Sequence, residues 1–255
     1  MVVTLREEKG VEPLDKGITR DRDWTPLYKT GGIAALLAAV LFRRNIGAEV
    51  SLFTGVEAIP RSAAEWYTLL QGNPFTGLAF LAVFDIVNYA LLGLMFLALG
   101  AAFWTAHKSA AAIALASGMM GISVGFATNI ALTMLSLSQQ YAAVTSEAQK
   151  AALLAAGQAI LATNDPLATF PGTGAYVSLL LIALAGLLFS VLLLRSNRVT
   201  AIVGLLASGC DLAYCLTVAF APFLRAYLLA AGGLFWVLWH LMVGWKLLQL
   251  SRGEG

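Results

Sequence analysis

PFTGLAFLAVFDIVNYALLGLMFLALGAAF, residues 74–103, decides the fold class. The stretch is mostly apolar, with one carboxylate, Asp85, inside it, and it exceeds the roughly 20 apolar residues that cross a bilayer. A carboxylate at the centre of such a span costs about 2.5–3.5 kcal/mol on insertion scales. It is therefore expected to face other helices or a wet cavity. Asn88 and Tyr89 follow at i+3 and i+4 and share its helix face.

The rest of the chain agrees with a membrane reading. It is 59% hydrophobic and 12% charged, with a mean hydropathy of +0.80; soluble domains carry about 25% charged residues. The net charge of +2, without an arginine-rich stripe, gives no nucleic-acid footprint. Cys210 and Cys215 lie five apart in one apolar segment, so on a helix they point apart and do not pair.

Working outward, residues 1–26 read as a polar cytoplasmic tail with no apolar run of the kind a cleavable signal peptide needs. A single six-helix transmembrane domain is expected over 27–250, followed by a short tail at 251–255. The first span starts at Leu27 and is expected to continue past Phe42 through Arg43 and Arg44 toward Phe53, its arginines snorkelling at a membrane boundary. Ser62 with Glu65 forms a capping box, and Trp66, Leu69 and Leu70 then share one face, as in an interfacial helix. The second span is Pro74–Phe103 and the third Ala110–Leu137. Along the third, Ser117, Gly121, Gly125, Asn129 and Thr133 recur every four residues, a ridge of small residues that ends in two polar groups. Ser146 with Gln149 opens a second amphipathic helix, with Leu153, Leu154, Gly157, Ile160 and Leu161 on one face, lying on the bilayer or over the bundle. The remaining spans are Gly174–Leu194, Thr200–Phe220 with Asp211, and one within Arg225–Leu248. The fold class is thus an all-α membrane protein: a bundle of six transmembrane helices with two outer-face amphipathic helices.

Lys and Arg counts orient the bundle. Six of these residues near the N-terminus, with Lys108, Arg195, Arg198, Lys246 and Arg252, fall on one side. Arg43, Arg44, Arg61, Lys150 and Arg225 fall on the other. Both termini are therefore expected in the cytoplasm.

The runs LYKTGGIAALLAAVLFRRNIGAE, FDIVNYALLG, LSLSQQYAAVTSEAQ, LAAGQAI, GTGAYVS and LLRSN resemble those of an uncharacterised family of bacterial six-span membrane proteins, catalogued only as a domain of unknown function. The resemblance covers roughly residues 27–250. It implies six spans in a prokaryotic cytoplasmic membrane and no particular reaction. Relatives often carry an acidic residue early in the last span, where this chain has AAGGLFWVLWHL.

With the N-terminus inside, Asp85, Asn129, Thr133 and Asp211 fall at a similar depth in the outer half or centre of the membrane, with Arg43 and Arg44 at the outer end of the first span. They are expected to meet, together with Asn88 and Tyr89, in one polar pocket open to the outside; the other reading is that each is a structural clamp between helices. His240 reads as part of an inner tryptophan belt. No second histidine lies in a span, and no zinc-protease, nucleophile-elbow, phosphate-loop or CxxC motif is present, so no metal or cofactor is expected. Three classes stay open: a carrier, receptor or sensor for a small or amphiphilic ligand; a structural or accessory subunit; and a membrane-embedded enzyme using Asp85 and Asp211 as acid and base. Membrane lipid is the expected partner, and nucleic acid is not.

Overall fold

The structure is a computed structural model, described here for residues 13–15, 18–19, 21–42, 60–163 and 172–253. Ten α-helices dominate it: α1 (Thr25–Phe42), α2 (Ala63–Gly72), α3 (Pro74–Phe80), α4 (Val83–Phe103), α5 (Lys108–Thr128), α6 (Ala131–Ala143), α7 (Glu147–Thr163), α8 (Thr173–Leu193), α9 (Arg198–Thr217) and α10 (Arg225–Arg252). Near the N-terminus, Pro13–Asp15 and Ile18–Thr19 form a minimal antiparallel pair.

Six of the helices form a closed ring. In chain order α1, α4, α5, α8, α9 and α10 each pack on the next, and α1 closes the circle against α10. Short turns at Trp104–His107 and Leu194–Asn197 join neighbours at one end, so those neighbours run antiparallel. The α1 helix enters between α4 and α10 because two adjacent glycines remove its bulk on both sides. A β-carbon on Gly31 would overlap Ala98 and the Leu94 carbonyl, and one on Gly32 would crowd Leu248 and the Gly244 carbonyl. The ring centre is filled by Met95, Phe96, Phe103, Phe189, Trp236 and Trp239, all almost fully buried. Phe96 stacks on Phe189 with centroids 5.6 Å apart.

Five stretches are long and apolar enough to cross a membrane: Val83–Phe103, Lys108–Ala143, Thr173–Leu193, Arg198–Thr217 and Pro222–Arg252. A helix of 21 residues, as in α4, α5 and α8, rises about 31 Å, which matches a hydrocarbon core of about 30 Å.

Two expected spans are interrupted. The second stops at Phe80, turns through Leu81 and Ala82, and restarts at Val83. The third stops at Thr128 and restarts at Ala131. The segments beyond these breaks, α3 and α6, join α2 and α7 in a four-helix cap with its own hydrophobic core of Trp66, Tyr67, Leu70, Phe80, Met134 and Leu161. Trp66, expected at a lipid interface, is 2% exposed in this core.

The cap is tied together by backbone-directed polar bonds. The Tyr67 phenol donates to the Leu153 carbonyl at 2.8 Å, Gln71 Nε2 to the Ser138 carbonyl at 3.1 Å, and the Ala63 N–H to Gln158 Oε1 at 3.2 Å. Accordingly α7 seats Gly157 and Leu161 on its cap neighbours α2 and α6. The expected capping box is present: Ser62 Oγ accepts from the Glu65 N–H at 3.3 Å. Glu65 Oε2 accepts from the N–H of Arg61, one residue ahead of the usual partner, at 2.8 Å.

Candidate functional site

The two interruptions lie side by side and are joined by one side chain. Asn129, the residue after α5, donates Nδ2 to the Ala82 carbonyl at 2.9 Å. Its Oδ1 accepts from the Ala131 N–H at 3.1 Å and so caps the start of α6. The Ala82 carbonyl also accepts the Asp85 N–H at 3.0 Å. Ala82 has φ 62°, the one non-glycine residue with positive φ among those described. That conformation costs about 1–2 kcal/mol in an L-residue with a β-carbon, and it persists because the surrounding bonds over-determine it. Non-helical backbone at membrane depth is tolerated where it is buried in protein or lines a wet cavity.

A cavity of about 190 Å³ opens at this junction, lined by residues of both halves. Phe80, Leu81, Ala82 and Ile130 close it from the cap side; Asp85, Tyr89, Gly125, Thr128, Asn129 and Ala175 form the bundle side. Asp85 sits in the first turn of α4, where aligned peptide dipoles favour a carboxylate by about 0.3–1 kcal/mol. Tyr89 lies one turn further along, its ring over Gly125 with the Ser178 hydroxyl beside it, and meets Phe126 edge-on at 5.8 Å. The ridge of small residues makes this approach possible. A β-carbon on Gly125 would strike the Tyr89 ring, and one on Gly121 would crowd Ile182, Leu181 and the Ser178 carbonyl. Ser178 Oγ completes the seam by donating to the Gly121 carbonyl at 2.8 Å.

Of the residues expected to meet, the structure brings Asp85, Tyr89 and Asn129 to one cavity. Both polar residues stand at helix ends, Asp85 in the first turn of α4 and Asn129 directly after α5. Asn88 does not line the cavity; its Oδ1 is buried without a hydrogen-bond partner among the described residues. Thr133 is exposed on α6, past the break that turns the ridge away. Arg43 and Arg44, and the expected continuation of the first span toward Phe53, lie outside the described residues.

Asp211 belongs to a different place. It is 4% exposed in α9, and its Oδ2 accepts the Trp236 indole N–H from α10 at 2.6 Å. A β-carbon on Gly232 would press on its Oδ1, so the glycine in the last span makes room for this carboxylate. One turn along α10 from Trp236, His240 donates Nδ1–H to the Trp236 carbonyl at 2.6 Å. His240 and Trp239 are fully buried inside the ring, not part of a lipid-facing belt; of the inner tryptophans of α10, Trp245 is the exposed one, at 58%. Asp211 is therefore a clamp between α9 and α10, with no shared wall with Asp85. Cys210 and Cys215 are free thiols. Among the described residues, no cluster of three His, Cys, Asp or Glu side chains is placed to hold a metal.

Asp85, Tyr89 and Asn129 line one cavity with Ala82 and Phe80, two residues that the sequence did not single out. Neither residue carries a local signal: LAFLAVF contains no glycine or proline to mark a break.

Long apolar helices in an antiparallel ring, with a polar cavity at the junction of two interrupted helices, define a multi-pass helical membrane protein. No family model, no curated protein and no solved structure matches this chain.

Proposed function

We propose that this protein is a non-enzymatic receptor or carrier that binds a small ligand bearing hydrogen-bond donors in the cavity between cap and bundle. The observation that carries the reading is the pair of adjacent helix breaks, bridged by Asn129 and framing a cavity with Asp85 in its wall. In many secondary transporters, interrupted helices that expose backbone and a helix terminus to a cavity form the substrate site. A carboxylate is an acceptor, so it selects amines or polyols over anions; Phe80, Leu81 and Ile130 offer apolar contact to an amphiphilic ligand. The enzyme alternative rested on Asp85 and Asp211 acting together, and the Asp211 contact with Trp236 on α10 gives that pairing no support.

The finer topology belongs to the same proposal. The α1 helix is the sixth span: it rises about 27 Å over its 18 residues, and its packing between α4 and α10 supports this. The Lys and Arg distribution puts both termini, with the short turns, in the cytoplasm. The cavity and the cap then face outward, and the resemblance to the uncharacterised bacterial family supports a prokaryotic cytoplasmic membrane.

The test is a thermal-shift screen of the purified full chain in detergent against panels of small amines and polyols, run in parallel on Asp85→Asn. Compounds that stabilise the wild type and lose their effect in Asp85→Asn are the expected result. Equal stabilisation of both proteins, or none from either panel, would remove the reading. In a background lacking Cys210 and Cys215, Ala175→Cys should react with an impermeant thiol reagent from outside intact cells; labelling only after permeabilisation reverses the orientation.

A further inference from the structure

At the opposite end of the ring, where the short turns lie, a groove of about 290 Å³ runs between the start of α9 and the last turns of α10. Its polar wall is Asn197, Thr200, Lys246 and Gln249, and its apolar wall is Leu241, Met242 and Trp245. Three features converge there. Asn197 caps α9, with its Oδ1 accepting the Thr200 N–H at 3.1 Å, so the positive end of a 20-residue helix points at the groove. Lys246 is half-buried and lines the same wall. Thr200 is 1% exposed, and its Oγ1 is buried without a hydrogen-bond partner among the described residues. A buried hydroxyl left in that state is costly, and an acceptor arriving in the groove would satisfy it.

A cation, a helix N-terminus and an unsatisfied hydroxyl together suit a phosphate. The adjoining apolar wall says what the phosphate is attached to. Leu241 and Trp245 are 42% and 58% exposed on the outer surface of α10, and a tryptophan at this level is typical of the membrane–water interface. We propose that the groove seats the headgroup phosphate of an anionic phospholipid from the adjacent leaflet, with Lys246 and the start of α9 holding the phosphodiester. The Thr200 hydroxyl donates to it, and an acyl chain runs along Leu241 and Met242. Arg195 and Arg198, exposed beside the groove, add to its positive potential. This site is separate from the cavity at the cap and stands whether or not that cavity binds a ligand.

Native mass spectrometry of the full chain tests it, with phosphatidylglycerol, phosphatidylcholine and inorganic phosphate as probes. Phosphatidylglycerol should be retained in preference to phosphatidylcholine. Lys246→Gln should weaken its retention about fivefold, the effect of one basic residue near an anionic surface, whereas Lys108→Gln, at the same end but outside the groove, should not. Thr200→Val should also lose lipid while keeping its melting temperature, because the hydroxyl it removes has no partner to lose. Equal retention of the two lipids, or equal weakening by Lys246→Gln and Lys108→Gln, would overturn the site. Displacement of phosphatidylglycerol by millimolar inorganic phosphate would make it an anion site and overturn the lipid assignment.

Discussion

Asn129 Nδ2 reaches the Ala82 carbonyl at 2.9 Å, so one amide side chain holds together two helix interruptions that are 47 positions apart in sequence. The same amide caps α6 through its Oδ1. Replacing it removes two bonds and leaves the strained turn at Ala82 with only the Asp85 N–H as a donor. Asn129→Ala is expected to cost about 1–3 kcal/mol, the penalty for stranding buried backbone groups. It should lower the melting temperature in detergent and speed hydrogen exchange in α3 and α6. An unchanged melting temperature would mean that the bridge does not hold the breaks.

Ala82→Gly probes the same turn from the other side. Glycine removes the about 1–2 kcal/mol cost of the left-handed conformation but raises the entropy of the unfolded chain by about 0.4–1 kcal/mol. The expected outcome is a net gain of up to about 1 kcal/mol, read as a higher melting temperature. A fall would place Ala82 in ordinary helical geometry and join α3 and α4 into one helix.

Gly121→Leu tests the seam between α5 and α8. Its side chain would be forced into Ile182, Leu181 and the Ser178 carbonyl, and overfilling of this kind costs about 1–3 kcal/mol in packed cores. A loss of thermal stability is expected, with Gly209→Leu as the control, since open space surrounds that position. Equal tolerance of both changes would put Gly121 against lipid.

The residues that announced the architecture are those whose patterns are long. Apolar runs of about twenty residues mark spans wherever they fall, and the four-residue ridge from Ser117 to Gly125 marks a close helix contact, which is made with α8. The breaks were hidden because hydropathy continues across them: LAFLAVF and ATNIALT stay apolar or mildly polar while the backbone turns. What ends the helices there is tertiary, the Asn129 bond and the separate core of the cap. A reading in unbroken spans therefore misses the turn beside Asp85. It also grouped Asp85 with Asp211, which shares its polarity but pairs with Trp236 on α10.

The clamp between α9 and α10 orders two substitutions. Trp236→Phe removes the donor and leaves the Asp211 carboxylate facing an aromatic edge, whereas Asp211→Asn keeps an oxygen that still accepts the indole N–H at the same place. Trp236→Phe is expected to be the more destabilising by about 1–3 kcal/mol, as for a buried polar group that loses its partner. Melting curves in detergent rank the pair, and the reverse order would deny the bond a structural role.

Glu65 gives the cap a pH dependence. Its carboxylate accepts the Arg61 N–H first and the Ser62 groups second, which together hold its pKa below the ordinary glutamate value. A lowered folded pKa means that the stabilisation is fully present above the unfolded value and is lost as pH falls through the folded one. The first turn of α2 should therefore exchange its amides faster as pH drops below the ordinary carboxylate range, after correction for intrinsic exchange. Glu65→Gln should flatten that profile. A profile unchanged by the substitution would assign the effect to another group.

Tyr67 makes the final test, of whether the cap is a unit that can loosen over the cavity without the bundle. Its phenol donates to the Leu153 carbonyl at 2.8 Å, its ring meets Tyr141 at 5.4 Å, and Gly157 leaves the space in which the hydroxyl sits. Burial raises its pKa above the ordinary tyrosine value, so it stays a donor at any neutral or moderately alkaline pH. Tyr67→Phe removes one bond of about 0.5–1.5 kcal/mol and leaves the ring packing intact. Because the cap core holds no residue of α5 or α8, faster hydrogen exchange is expected in α2 and α7, with α5 and α8 unchanged. Acceleration spread evenly over the cap and the spans would show a single cooperative unit, with no motion of the cap available to open or close the cavity at Asp85.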